Sequence, residues 1–108
     1  AVCKKSDEVD VFDEIINCPG GGDSGNQGTF TKVINVGTAY PASFAFTYNA
    51  FTIQDRFVIS GAATLDTGFV SGTSTVTVNK TSANPYITVT VYAPTSGTAW
   101  NYSVGCAS

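Results

Sequence analysis

Histidine is absent from this 108-residue chain, and charged side chains make up only 12% of it. Without histidine, zinc sites built on Cys and His are ruled out, and the usual base that activates a serine nucleophile is missing. The three cysteines, Cys3, Cys18 and Cys106, show no Cys-x-x-Cys spacing, which points the same way. No apolar run approaches the roughly 18 residues that cross a bilayer. No basic-then-apolar leader opens the chain, so in a secreted protein Ala1 would be the mature end. The little charge there is lies unevenly. Lys4 and Lys5 against Asp7, Glu8, Asp10, Asp13 and Glu14 give residues 1–17 the whole net charge of −3, and the remainder balances three against three. With no basic stripe to neutralise phosphates, nucleic acid is excluded as a partner.

What the chain has instead is Thr, Ser, Val and Gly, the composition of an extracellular all-β module of one domain. An odd number of cysteines in an oxidising compartment leaves one without an internal partner. Pairing Cys18 with Cys106 ties the two ends of the β-rich part together, worth about 4 to 5 kcal/mol in the loop-entropy picture. Cys3 is then left for an intermolecular bridge or a free thiol; the rival pairing, Cys3 with Cys18, leaves Cys106 over.

The composition divides the chain into an acidic arm over residues 1–17, a Gly-rich hinge over 18–28 and a β module over 29–108. The hinge, "CPGGGDSGNQG", offers almost no apolar side chain and reads as a flexible connection outside any packed element. In the arm, Val9, Phe12 and Ile16 at i, i+3 and i+7 predict a short helix over residues 6–17, with a strand as the alternative because Val, Ile and Phe dominate its apolar set. Either form gives Val9, Phe12, Ile15 and Ile16 an apolar face that needs burial.

The module reads as strands: "TFTKVINV", "ASFAFTYN", "RFVIS", "STVTVNK", "YITVTVYA" and "AWNYSVGC" are β-branched or aromatic runs separated by Gly, Pro, Asn and Ser. Phe44, Phe46 and Tyr48 alternate along one face, as do Val76 and Val78, Ile87, Val89 and Val91, and Trp100, Tyr102 and Val104. The pattern is that of an antiparallel β-sandwich or barrel. The rows Thr73, Thr75, Thr77 and Thr88, Thr90 fall on the wetter faces.

Three readings compete for Asp66 in "TLDTGFVSG". Asp-Thr-Gly resembles the motif of retroviral-type aspartic proteases, in which two chains each contribute a carboxylate and share one proton. Here, however, the motif lies two thirds along the chain, Phe69 follows it, and no flap or helix-bearing run comes after. The second reading is a turn that closes a strand. The third is a metal site: Asp55, in "IQDRF", and Asp66 follow neighbouring strands, and Ca²⁺ accepts carboxylates, carbonyls and water. Asp55 is also placed to cap backbone N–H groups, and Arg56, the single arginine, to pair with a carboxylate. Two sequons, at Asn79 and Asn101, are acceptors for glycans where the source glycosylates.

Taken together, "GTFTKVINVG", "SFAFTYNAFTIQDRFVISGAATLDTGFVSG" and "VTVTVYAPTSGTAWNYSVGC" resemble a module recurring in secreted bacterial proteins, notably of Bacteroidetes type, over roughly Cys18 to Cys106. Its marks are Ile-x-Asp-Arg-Phe, then Asp-Thr-Gly, then Ser-Gly-Thr-Ala-Trp before a closing Cys. More distantly, the same order is similar to CUB domains, extracellular disulfide-tied jelly rolls, which implies a single all-β, jelly-roll antiparallel β-sandwich. That likeness implies a calcium-binding acid at Asp55, although the later loop from Ala93 to Gly97 supplies no second Asp. Both resemblances imply a binding or assembly module, not a catalyst.

The expected function is a secreted or cell-surface, non-catalytic structural module. It associates with itself or with another surface protein through its arm, as a filament subunit does. The alternative is a carbohydrate- or calcium-binding module using the loops near Asp55 and Asp66 or an aromatic at Tyr40, Tyr86 or Trp100.

Overall fold

The computed structural model describes residues 15–19 and 21–108, and among them every regular element is a strand. In chain order these are β1 (Ile15–Asn17), β2 (Gly21–Gly25), β3 (Gly28–Asn35), β4 (Ser43–Asn49), β5 (Asp55–Gly61), β6 (Leu65–Val70), β7 (Thr73–Asn79), β8 (Tyr86–Ala93) and β9 (Trp100–Val104). One sheet runs β2-β9-β4-β7 and the other β1-β3-β8-β5-β6. Strands β2 to β9 pass between the sheets, with β5 and β6 lying together in the five-stranded one, in the two-Greek-key order of a jelly roll, the architecture that the resemblance to CUB domains implies. All pairs are antiparallel except β1 with β3, where Ile15 lies beside Val33 and Asn17 beside Asn35.

Period-2 patterning explains the core. The inward residues of β4, β8 and β9, Phe44, Phe46, Tyr48, Ile87, Val89, Val91, Trp100, Tyr102 and Val104, are all buried. Phe57 on β5 is the main tie between the sheets: its ring lies 5.1 Å from Tyr48, 6.0 Å from Phe46 and 6.4 Å from both Trp100 and Tyr102. Aromatic pairs at such separations and tilts add to the area they bury. Trp100 also packs 5.1 Å from Phe30 on the opposite sheet, and its indole N–H donates to the Asn26 carbonyl at 3.0 Å.

The two segments before residue 29 depart from expectation. Gly21–Gly25 is not a hinge outside the packed elements: it is strand β2, paired residue for residue with β9 from Trp100↔Gly25 to Val104↔Gly21. Glycine is required there by close approach. A Cβ on Gly22 would collide with the Tyr102 carbonyl oxygen, and one on Gly25 would lie 2.7 Å from the Trp100 ring. Among the described residues, the segment read as a hinge thus contributes a strand to the sandwich. Ile15–Asn17 takes the strand alternative and not the helix: it is an edge strand, and Ile16 packs on the core. The Val9 and Phe12 part of the helix expectation, and Cys3, lie outside the described residues.

The Cys18–Cys106 disulfide is formed, across a sequence separation of 88 residues. It sits beside the end of β3: the Cys18 N–H donates to the Asn35 carbonyl at 3.0 Å, and the Ala107 N–H to the Val36 carbonyl at 2.9 Å. The bond joins the residue after β1, an edge strand of the five-stranded sheet, to the segment after β9 of the four-stranded sheet.

Candidate functional site

The Asp-Thr-Gly tripeptide lies inside a strand and not in a strand-ending turn. Leu65–Val70 is strand β6, and its pairing with β5 skips between Arg56 and Val58, with Arg56 opposite Phe69 and Val58 opposite Asp66. Thr67 and Gly68 therefore face Phe57 alone, which is a β-bulge. Each residue of the tripeptide supports that irregularity. The Thr67 hydroxyl accepts the Phe57 N–H at 3.0 Å and donates to the Gly68 carbonyl at 2.7 Å, filling the gap in the ladder. Gly68 has φ +67, the left-handed conformation that glycine adopts without a Cβ penalty. Asp66 accepts the Gly68 N–H at 2.9 Å. The bulge consumes the apolar alternation, which is why β6 does not read as a strand in the sequence.

The bulge aims Asp66 at Arg56. Arg56 Nε donates to Asp66 Oδ1 at 2.9 Å, and Nη2 donates to Oδ2, a bidentate pair of the kind guanidinium and carboxylate geometry favours. The Arg56 hydrogen bonds, with the Gly68 N–H second, hold the Asp66 carboxyl down at about 2. The guanidinium carbon also lies 5.3 Å from the Tyr92 ring centroid, within cation–π range. Arg56, Asp66, Thr67, Gly68 and Phe69 line a shallow depression of about 530 Å³ on the outer face of the five-stranded sheet.

Asp55 belongs to the other face. It is fully buried with Phe57 and Ile59, and the Thr98 hydroxyl donates to it, 2.8 Å from Oδ1 and 3.0 Å from Oδ2. This bond links Asp-Arg-Phe to Ser-Gly-Thr-Ala-Trp, and the bulge links Asp-Arg-Phe to Asp-Thr-Gly. The three most distinctive motifs thus form one interlocking clasp. Burial pushes the Asp55 carboxyl above its ordinary value, opposed by the Thr98 hydrogen bond.

The expected calcium pair is not assembled. Asp55 points into the core while Asp66 is exposed and bound to Arg56, so the two carboxylates lie on opposite faces of the same sheet. Among the described residues no group of three or more His, Cys, Asp or Glu gathers to hold a metal. The aromatic candidates divide. Trp100 is core at 1% exposure, whereas Tyr40 and Tyr86 are exposed, as are Phe69 and Tyr92, which the sequence did not single out. The signal for Tyr92 was its parity: it falls between the inward Val91 and Ala93 on β8. Both sequon asparagines, Asn79 and Asn101, are exposed.

The Thr98–Asp55 bond makes a testable claim. Thr98→Val leaves a buried carboxylate without that donor and is expected to cost about 1.5 to 3 kcal/mol near neutral pH. Asp55 is raised on folding, so its contribution is most favourable below the unfolded value of 3.8 and is lost as pH rises through the folded value. The variant removes an influence that favours the charged form. Its deficit in chemical denaturation should therefore be largest near neutrality and shrink below the ordinary carboxylate range; an equal deficit at both pH values would exclude this origin.

No protein-family model, curated protein or solved structure matches the chain.

Proposed function

We propose that the chain is a non-catalytic, extracellular structural module that joins to copies of itself, the segment before β1 of one copy adding to a sheet edge of the next. The observation that carries this reading is strand β7. Four strands end the two sheets, and three are blunted as edges usually are: β1 has three residues, β2 is mostly glycine with Asp23, and β6 carries the bulge and the Arg56–Asp66 pair. By contrast β7, "TSTVTVN", runs seven residues in unbroken register with β4. It has no charge and no proline, and nothing pairs with its outer side among the described residues. Such an edge is a template for an added strand.

Two features support a second copy as the source of that strand. The described residues balance three positive against three negative side chains. Asp55 and Lys80 are buried and Arg56 is paired with Asp66, so little repulsion opposes contact between copies. The donor segment, with Val9 and Phe12, enters the fold at β1, on the side of the sandwich where β2 and β3 lie, whereas β7 ends the opposite side. Donor and acceptor on opposite sides make a heterologous, head-to-tail contact that extends into a filament. Cys3, outside the Cys18–Cys106 bond, supplies a thiol to bridge neighbouring subunits, and the disulfide itself fits an oxidising, extracellular compartment.

Thr77 is exposed, faces outward and lies opposite Ala45, so Thr77→Lys adds an edge charge without disturbing the core. In light scattering after size exclusion, Thr77→Lys and the double change Val9→Asp, Phe12→Asp should each reduce the oligomer to monomer at unchanged thermal stability. Oligomers unaffected by either change would defeat the reading.

A further inference from the structure

The geometry points to a second, separate site: the row Tyr92–Arg56–Phe69 on the outer face of the five-stranded sheet binds a neutral oligosaccharide. The row is built by register. Tyr92 on β8 lies directly opposite Arg56 on β5, and Arg56 lies opposite Phe69 on β6. Two exposed rings, at 37% and 49% exposure, therefore stand two strand spacings apart, roughly 10 Å, about the length of a disaccharide. Between them lies the Arg56–Asp66 ion pair, fixed by two hydrogen bonds and by the Gly68 N–H.

Each part matches one feature of a sugar. The partly exposed rings of Tyr92 and Phe69 suit the apolar C–H faces of pyranoses, with Arg56 set over the Tyr92 ring. The pair holds Arg56 Nε and Nη2 but leaves Nη1 outside its hydrogen bonds, a donor for ring or hydroxyl oxygens, while Asp66 accepts from hydroxyls. Thr29, in the same cross-strand row beyond Tyr92, continues the polar rim. Because the two charges cancel and no other charged side chain occupies the row, charge complementarity selects an uncharged ligand over an acidic glycan or a charged peptide. The sheet fixes the backbone positions and spacing of the two residues, so no backbone ordering opposes binding. The site shares no residue with the β7 edge or with the N-terminal segment, so it stands or falls independently of the assembly reading.

The test is a two-dimensional NMR titration of the intact chain with three neutral probes, cellohexaose, mannohexaose and chitohexaose, and with oligogalacturonate as the charged comparison. At least one neutral probe at millimolar concentration should shift resonances of Tyr92, Arg56 and Phe69 together. Tyr92→Ala and Phe69→Ala, both at exposed positions, should each weaken that binding by about tenfold or more, with spectra that otherwise retain the folded pattern; Tyr92→Phe, which keeps the ring, should retain it. No shift with any neutral probe, shifts away from this row, a response to oligogalacturonate alone, or shifts produced by protein concentration without sugar would each overturn the proposal.

Discussion

Replacing Cys18 and Cys106 together by alanine is expected to lower the unfolding free energy by about 4 to 5 kcal/mol, the loop-closure entropy released when so long a loop opens in the unfolded chain. The bond encloses 88 residues of sequence separation, nearly the whole sandwich, so almost all of the unfolded ensemble feels its loss. A single domain of this size has only about 5 to 15 kcal/mol in hand; the double variant should therefore unfold at much lower denaturant, and reductant should act on the unmodified chain in the same direction. The native contacts around the bond remain in the variant: the Cys18 N–H to the Asn35 carbonyl and the Ala107 N–H to the Val36 carbonyl are backbone interactions. The signature is therefore a large drop in stability with the β-sheet circular dichroism preserved in the absence of denaturant. A loss below about 1 kcal/mol would show that the segments around Cys18 and Cys106 are held by these backbone bonds and by β1 rather than by the disulfide.

Trp100→Ala should cost about 3 to 5 kcal/mol, the range for removing a buried large aromatic side chain. Trp100 is 1% exposed and packs against Phe30 and Phe57 on the facing sheet and Tyr102 on its own strand. The substitution empties a space between two sheets that are each stiffened by their ladders and cannot collapse into it readily. It also removes the hydrogen bond to the Asn26 carbonyl, which fixes the short connection between β2 and β3. Trp100→Phe keeps much of the buried area and loses that bond, so it should fall between the unmodified chain and Trp100→Ala. Unfolding of both is best followed by circular dichroism, because Trp100 is the single tryptophan and the substitutions remove its fluorescence.

What the sequence revealed and what it concealed follow from one physical distinction. Where a strand buries one face with side chains, as Phe44, Phe46 and Tyr48 or Ile87, Val89 and Val91 do, the period of two is written in the residues and the fold class follows. Where a strand works through its backbone, the period disappears. Strand β2 approaches Tyr102 and Trp100 too closely for side chains at Gly22 and Gly25, so it looks like a flexible linker. Strand β6 carries a bulge, so its inward and outward residues change places midway. Strand β1 is three residues beside a parallel neighbour, too short for any periodicity.

The candidate site divides in the same way. Cys18–Cys106 was legible because its partners bracket the β-rich part. Arg56 with Asp66 depends on a register that the bulge displaces, and Asp55 with Thr98 joins positions 43 residues apart. In isolation Asp55 and Asp66 looked like two acids free to meet. The sheet sends them to opposite faces, one to clasp Thr98 and the other to hold Arg56.

The central claim, that the chain assembles head to tail through a strand added to β7, is tested most directly by negative-stain electron microscopy of the intact protein under oxidising conditions. The account predicts linear chains of subunits joined at opposite sides of the sandwich. A field of single, unconnected particles at every protein concentration would contradict it.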